Sequence, residues 1–236
     1  MSFIGTAGWT IPAQYKSEFP SEGSHLRRYA SRLNCVEINS SFYRPHKRTT
    51  YEKWAASVPE HFRFSVKIPR TITQNHRLMR YGSELDRFLE EATGLGDKLG
   101  VLLVQLPPSL AYNAEVVDAF FRDLARAKIV MACEPRHASW FTPDAEKAFR
   151  TLKVSRVAAD PPRAPTDGTA GGDTRIAYFR LHGSPKIYYS DYANEELAWL
   201  ASKLRSKDWY IFDNTAAFHA LGNALTLQRE TSPAGS

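Results

Sequence analysis

Gly100-Val-Leu-Leu-Val-Gln-Leu106, Asn113-Ala-Glu-Val-Val-Asp-Ala-Phe-Phe-Arg-Asp-Leu-Ala-Arg126 and Ile129-Val-Met-Ala-Cys-Glu134 follow one another along the chain. The outer two are short, continuous apolar runs that carry a polar residue near their C-terminal ends, the pattern of strands buried on both faces. The middle segment keeps helical spacing, with Val116, Val117, Phe120, Phe121 and Leu124 on one face. Strand, amphipathic helix, strand is the repeating unit of a parallel sheet covered by helices.

The alternation continues in both directions. Further strands are expected at Phe3–Trp9, Cys35–Phe42, Phe62–Ile68, Ser155–Asp160, Arg175–His182 and Trp209–Asp213, giving eight that begin about 29 residues apart. Helices are expected at Ser83–Leu95, Asp144–Lys153 and Asn194–Arg205; Thr142 and Pro143 supply a capping hydroxyl and a first-turn proline to the second of these. Such units predict an α/β fold, a TIM-like (β/α) barrel. A doubly wound open sheet is the competing arrangement, but Gly5-Thr-Ala-Gly8 lacks the G-x-G-x-x-G spacing. The segment Pro161-Pro-Arg-Ala-Pro-Thr-Asp-Gly-Thr-Ala-Gly-Gly-Asp173 is too rich in proline and glycine for a regular helix. The helix between strands six and seven is therefore expected to be missing or irregular. The reading is one barrel domain over residues 1–230 and a disordered tail over 231–236.

Composition narrows the class. With 236 residues, 43% hydrophobic and 24% charged, the chain reads as globular. It has no run of eighteen apolar residues and no basic-then-apolar leader, which predicts a cytoplasmic protein with no membrane partner. Cys35 and Cys133 sit in apolar strands outside any C-x-x-C pattern and read as buried, reduced thiols. The net charge of +6 admits an anionic partner, yet no five basic residues run together, so the positive charge is spread over the surface. P-loop, G-x-S-x-G, H-E-x-x-H and paired C-x-x-C signatures are absent, and no nucleotide cofactor is expected.

Almost every expected strand ends in a charged or amide residue: Glu37, Lys67, Gln105, Glu134, Asp160, Arg180 with His182, and Asp213. Alternation places Glu37 with Asn39, Ser65 with Lys67, and Arg180 with His182 on one side each, toward a barrel interior. Binding and chemistry in such barrels occur at this C-terminal rim. Four carboxylates (Glu37, Glu134, Asp160, Asp213) would face two cations (Lys67, Arg180). Close carboxylates need compensation: from the loop residues Arg44, Arg70, Arg136 and Lys186, from a shared proton, or from a divalent cation at the carboxylate cluster. The alternative is that the ring consists of ion pairs that stabilise the barrel, with Arg180 held by Asp160 or Asp213.

Ile4-Gly-Thr-Ala-Gly-Trp9, Val36-Glu-Ile-Asn-Ser-Ser-Phe-Tyr43, Phe64-Ser-Val-Lys67, Gln105-Leu-Pro-Pro-Ser109, Cys133-Glu-Pro-Arg-His-Ala-Ser-Trp140, Arg180-Leu-His-Gly-Ser184 and Phe212-Asp-Asn-Thr215 together resemble the YecE-like family, domain of unknown function 72. The resemblance implies a TIM-like barrel, no established activity and a distant relation to sugar isomerases. It carries over Glu37, Asn39, Tyr43, Lys67, Gln105, Glu134, Arg136, His137, Asp160, Arg180, His182, Asp213 and Asn214 as motif positions. Where the family's pattern has a histidine after Ile-Thr, this chain has Gln74, with His76 two residues on. The glycine usual after Asp-Asn-Thr is also absent from Ala216-Ala-Phe-His219.

The expected function is an enzyme of isomerase, lyase or hydrolase class acting on a small anionic or polyhydroxylated, sugar-phosphate-like compound at the rim. Its expected catalytic groups are Glu37, Lys67, Glu134, Asp160, His182 and Asp213. Asn39, Tyr43, Gln105, Arg136, His137, Arg180, Lys186 and Asn214 would bind the substrate, with Arg180, Lys186 and the loop His182-Gly-Ser holding phosphate, sulfate or carboxylate. Two other functions fit the same residues: nucleic-acid binding or processing, from the basic charge and interleaved aromatics, and non-catalytic metabolite binding.

Overall fold

Seven of the expected strands lie side by side and parallel, and the remaining one bends to bring the two ends of the sheet together. The computed structural model describes residues 1–162 and 168–231. In chain order the strands are β1 (Phe3–Ala7), β2 (Cys35–Ile38), β3 (Arg63–Lys67), β4 (Leu99–Gln105), β5 (Val130–Glu134), β6 (Val154–Arg156), β7 (Ala158–Asp160), β8 (Gly171–Gly172), β9 (Tyr178–Leu181) and β10 (Trp209–Phe212). The helices are α1 (His25–Tyr29), α2 (Ser40–Tyr43), α3 (Arg48–Ala56), α4 (Gly82–Ala92), α5 (Ala114–Leu124), α6 (Pro143–Thr151), α7 (Asn194–Ser202) and α8 (His219–Thr231).

The sheet order is β7-β9-β10-β1-β2-β3-β4-β5-β6-β8. β6 and β7 are one run interrupted at Val157: β6 pairs with β5, and β7 pairs with β9. The Val157 N–H donates to the Cys133 carbonyl at 2.8 Å and holds the bend. A mostly parallel, nearly closed α/β barrel results, as the alternation of apolar runs and helices predicts.

The helices start where their capping residues allow. Thr142 Oγ1 accepts from the Ala145 N–H ahead of α6, and Asn113 Oδ1 accepts from the Val116 N–H ahead of α5. Several expected strands come out shorter than expected. β2 stops at Ile38 because Asn39 is already helical and opens α2, and β9 begins only at Tyr178.

The crossover after β7 follows the composition of its chain. Pro161, Pro162 and residues 168–173 carry no helix, and Gly171–Gly172 run antiparallel to β6; residues 163–167 lie outside the described residues. Residues 232–236 of the expected tail also lie outside them, and Thr231 ends α8. No helix among the described residues is long and apolar enough to cross a membrane.

Burial divides into two cores. The larger lies between the outer face of the strands and the helices, and includes Phe120, Phe121, Leu124, Phe149 and Leu197. The smaller lies inside the barrel: Cys35, Val101, Leu103, Ala132, Val157, Tyr178, Trp209 and Ile211. Both cysteines are free and buried, as expected, and burial pushes both thiols well up from their ordinary range.

Candidate functional site

Two residues beyond the inner apolar floor, the same strands turn polar. Cys35 is followed at that spacing by Glu37, Leu103 by Gln105, Ala132 by Glu134, Tyr178 by Arg180 and Ile211 by Asp213. A period of two keeps each pair on one face, so the polar layer rests directly on the apolar one. Arg180 occupies its centre and is fully buried. Its Nε donates to Glu37 Oε2 at 3.0 Å, and Nη2 donates to Glu37 Oε1 and Asp213 Oδ2, both at 2.8 Å. Nη1 donates to Glu134 Oε2 at 2.5 Å and Gln105 Oε1 at 3.2 Å. A guanidinium has five N–H donors, and this set engages all of them.

This corrects one expectation. Arg180 as a substrate-binding residue has no donor left for an anion, and its partners are Glu37, Glu134 and Asp213 rather than Asp160. The cause is register: three carboxylates on β2, β5 and the end of β10 converge at the height of Arg180 on β9. Around it, the Tyr178 hydroxyl donates to Glu37 Oε2 at 2.9 Å and shares a 2.8 Å hydrogen bond with Ser65 Oγ. Sequence reasoning missed Tyr178, although it stands two residues before Arg180, at the spacing that places side chains on one face.

His182 is fully buried beyond Arg180. Its Nδ1 lies 3.0 Å from Asp213 Oδ2, and its Nε2 lies 3.5 Å from Glu134 Oε1 without an aligned hydrogen bond. Arg136 donates through Nε to Glu134 Oε1 at 2.8 Å. Burial raises the carboxyl of Glu134, but Arg180, Arg136 and His182 outweigh it and hold the group well below the ordinary range. For Asp213, burial is likewise outweighed by Arg180, His182 and Lys67, and its carboxyl is also held low.

Lys67 differs from every other charge here. It is 5% exposed, and its Nζ lies 4.2 Å above the Phe42 ring centroid; among the described residues no carboxylate forms an ion pair with it. Burial and then Arg180 lower its pKa to about 8, against the opposing pull of Glu37, Asp213 and Glu134. The remaining exposure of the layer falls on Lys67, on Gln105 at 6% and on Asp213 at 7%, while Glu37, Arg180 and His182 have none.

Other expected residues lie outside the inner layer. Asp160 is at the same end of the barrel, but the bend at Val157 puts its carboxylate on the outer side. There it accepts from the Tyr192 hydroxyl at 2.6 Å, so it does not join the carboxylate cluster as expected. With Asp160 out and Arg136 in, three carboxylates (Glu37, Glu134, Asp213) face three cations (Lys67, Arg136, Arg180). The carboxylates turn onto the guanidinium groups, and among the described residues no three His, Cys, Asp or Glu side chains are grouped to hold a metal ion.

Asn214 donates to the Ser190 carbonyl and to Asn223 Oδ1, tying the loop after β9 to α8. His137 caps the turn at Ala138–Trp140. Tyr43 is 70% exposed, and the Lys186 ammonium sits 4.4 Å over the Tyr189 ring. The N–H groups of the loops after β9 and β10 are largely spent within those loops. Gly183 donates to Tyr192 Oη, Lys186 to Ser190 Oγ and Ala216 to the Tyr188 carbonyl.

Unmet hydrogen-bonding capacity is also concentrated here. Of five buried side-chain polar atoms without an aligned partner among the described residues, four stand at this end: Asn39 Oδ1, Arg136 Nη2, His182 Nε2 and Asn214 Oδ1. Arg136 Nη2 does lie 2.7 Å from Glu134 Oε1, but off the hydrogen-bond axis.

The family model of "Protein of unknown function DUF72" matches residues 3–235. The chain belongs to the DUF72 family. Among its relatives, UPF0759 protein YecE of Escherichia coli K12 is 26% identical over 165 residues, 68% of this chain and 59% of YecE. UPF0759 protein YunF of Bacillus subtilis 168 is 30% identical over 154 residues, 61% of this chain and 53% of YunF. Each match thus spans less than two thirds of the relative's own length. Among solved structures, a DUF72 family protein from Enterococcus faecalis V583 superposes with a TM-score of 0.80 at 23% identity, covering 100% of this chain and 97% of that one. Outside DUF72, 3-keto-L-gulonate-6-phosphate decarboxylase from Vibrio cholerae has a TM-score of 0.55 at 11% identity, covering 98% of this chain and 97% of that one, a likeness of fold alone.

Proposed function

We propose that this DUF72 protein is an enzyme acting on a small polyhydroxylated or anionic compound, sugar-phosphate-like, held at the C-terminal rim against Lys67. One observation carries the reading: a buried ammonium without a carboxylate partner stands over a floor whose other charges are paired. An unpaired buried charge costs stability and is maintained where it meets a ligand. Lys67 then takes the anion-holding role expected of Arg180, and Arg180 holds the carboxylates in place. Hydroxyl groups of the substrate would meet Asn39 Oδ1, Gln105 and Asp213. His182, hydrogen-bonded to Asp213 and facing Glu134, would carry protons between them and the substrate.

Titration calorimetry with inorganic phosphate and D-ribose 5-phosphate tests this, using the parent protein and Lys67→Met. Binding by the parent, weakened at least tenfold in the variant, is the expected result. Equal affinities, or no binding of either probe, would remove the reading.

A further inference from the structure

We propose that Lys67 is a nucleophile that forms an imine with a carbonyl carbon of the substrate, which makes the substrate class an open-chain aldehyde or ketone bearing hydroxyl or phosphate groups. The inference rests on the rim being a substrate site and goes further by naming a covalent step.

The geometry separates Lys67 from its neighbours. Other nucleophiles near the inner layer are engaged or suppressed: the Ser65 hydroxyl is bonded to Tyr178, and Cys35 and Cys133 are buried thiols pushed well up. The Lys67 amine has neither carboxylate nor hydroxyl on it among the described residues, and it lies over the face of the Phe42 ring, 4.2 Å from the centroid, which keeps that side of the amine dry. Desolvation in an apolar pocket beside a second cation is how a lysine becomes a nucleophile near neutral pH. Arg180 is that cation, and it stays in place because four of its donors are tied to carboxylates and the fifth to Gln105 Oε1. With a pKa of about 8, about a tenth of Lys67 is free amine at pH 7.

The step balances without a co-reactant. The Nζ lone pair adds to the carbonyl carbon, and the C=O π pair moves onto oxygen. Two protons from the ammonium leave with that oxygen as water, so ammonium and carbonyl become an iminium of the same charge plus one water. Glu37, Asp213 and Glu134 favour a positive charge at this nitrogen, so they stabilise the iminium as they do the ammonium. The iminium withdraws electrons from the adjacent carbon, and water releases the product by the reverse path.

Reductive trapping tests the proposal. The protein is incubated with sodium cyanoborohydride and either dihydroxyacetone phosphate or D-ribose 5-phosphate, then digested and mapped by mass spectrometry; binding is followed in parallel by calorimetry. An adduct on the Lys67 peptide at least tenfold above any surface lysine, lost in Lys67→Arg, is expected. The parent peptide map needs no variant, so the result stands even if Lys67→Arg fails to fold. Binding without an adduct at Lys67 overturns the imine and leaves the substrate site intact. Neither binding nor adduct with either probe overturns both.

Discussion

Arg180 grips Glu37 through two parallel contacts, Nε to Oε2 at 3.0 Å and Nη2 to Oε1 at 2.8 Å, across a sequence separation of 143 residues. Neither group has any exposure to solvent. The fork-on-fork geometry fixes both planes, and Nη1 and the second Nη2 donor then reach Glu134 and Asp213 from the positions that remain. The pair organises the inner layer and leaves Lys67 without a carboxylate partner among the described residues.

Removing Arg180 therefore strikes the fold. Arg180→Met would leave three buried carboxylates without their shared counter-ion, and a loss of about 3–5 kcal/mol is expected. Urea unfolding measures it; an unshifted midpoint would mean that the layer does not depend on the guanidinium.

Lys67 works in the opposite direction. Its folded pKa of about 8 lies below its ordinary 10.5, so between those values the unfolded chain binds the extra proton and stability rises with pH. Below pH 8 the charged amine opposes folding. At pH 7, Lys67→Met is expected to be more stable than the parent by about 1–3 kcal/mol, and the gap is expected to narrow as pH rises from 8 toward 10.5. A variant less stable than the parent at pH 7 would contradict an unpaired, desolvated lysine.

Acid should loosen the same layer. The carboxyls of Glu134 and Asp213 are held below their ordinary range in the folded protein. Their contribution is complete above the unfolded values of about 4.3 and 3.9 and is lost as pH falls through the lower folded values. Urea midpoints measured at decreasing pH are expected to fall below about pH 4, and less steeply in Glu134→Gln/Asp213→Asn. Parallel slopes would show that other carboxylates control acid unfolding.

The hydroxyl of Tyr178 supports Glu37 from below. Tyr178→Phe removes that donor from a buried carboxylate and strands Ser65 Oγ, at an expected cost of about 1–3 kcal/mol in urea unfolding. Full stability would mean that Arg180 alone satisfies Glu37.

Close backbone approach gives a contrasting pair. A Cβ on Gly5 would lie 2.1 Å from the Cys35 carbonyl oxygen, where β1 and β2 are paired, whereas one on Gly82 meets nothing within 4 Å. Gly5→Ala should fail to give soluble folded protein. Gly82→Ala, at the start of α4, should leave stability unchanged or raise it by up to about 1 kcal/mol. Circular dichroism and thermal melts compare them; a normally folded Gly5→Ala would mean that β1 can move off β2.

Local pattern was enough to determine the barrel and its polar rim. Apolar runs such as Val101-Leu102-Leu103-Val104 identify buried strands, amphipathic segments such as Asn113–Arg126 identify covering helices, and a period of two brings Glu37, Glu134, Arg180 and Asp213 to one side. The choice of partners depended on strand register and on the bend at Val157, which are set only when the sheet comes round on itself. Register gave Arg180 to Glu37, Glu134 and Asp213. The bend turned Asp160 outward to Tyr192 and brought β7 against β9. It was tertiary structure too that left Lys67 unpaired, because the three carboxylates of the layer come from other strands and turn onto Arg180. A carboxylate on β2 meets a guanidinium on β9 through a spacing of strands that no segment encodes by itself.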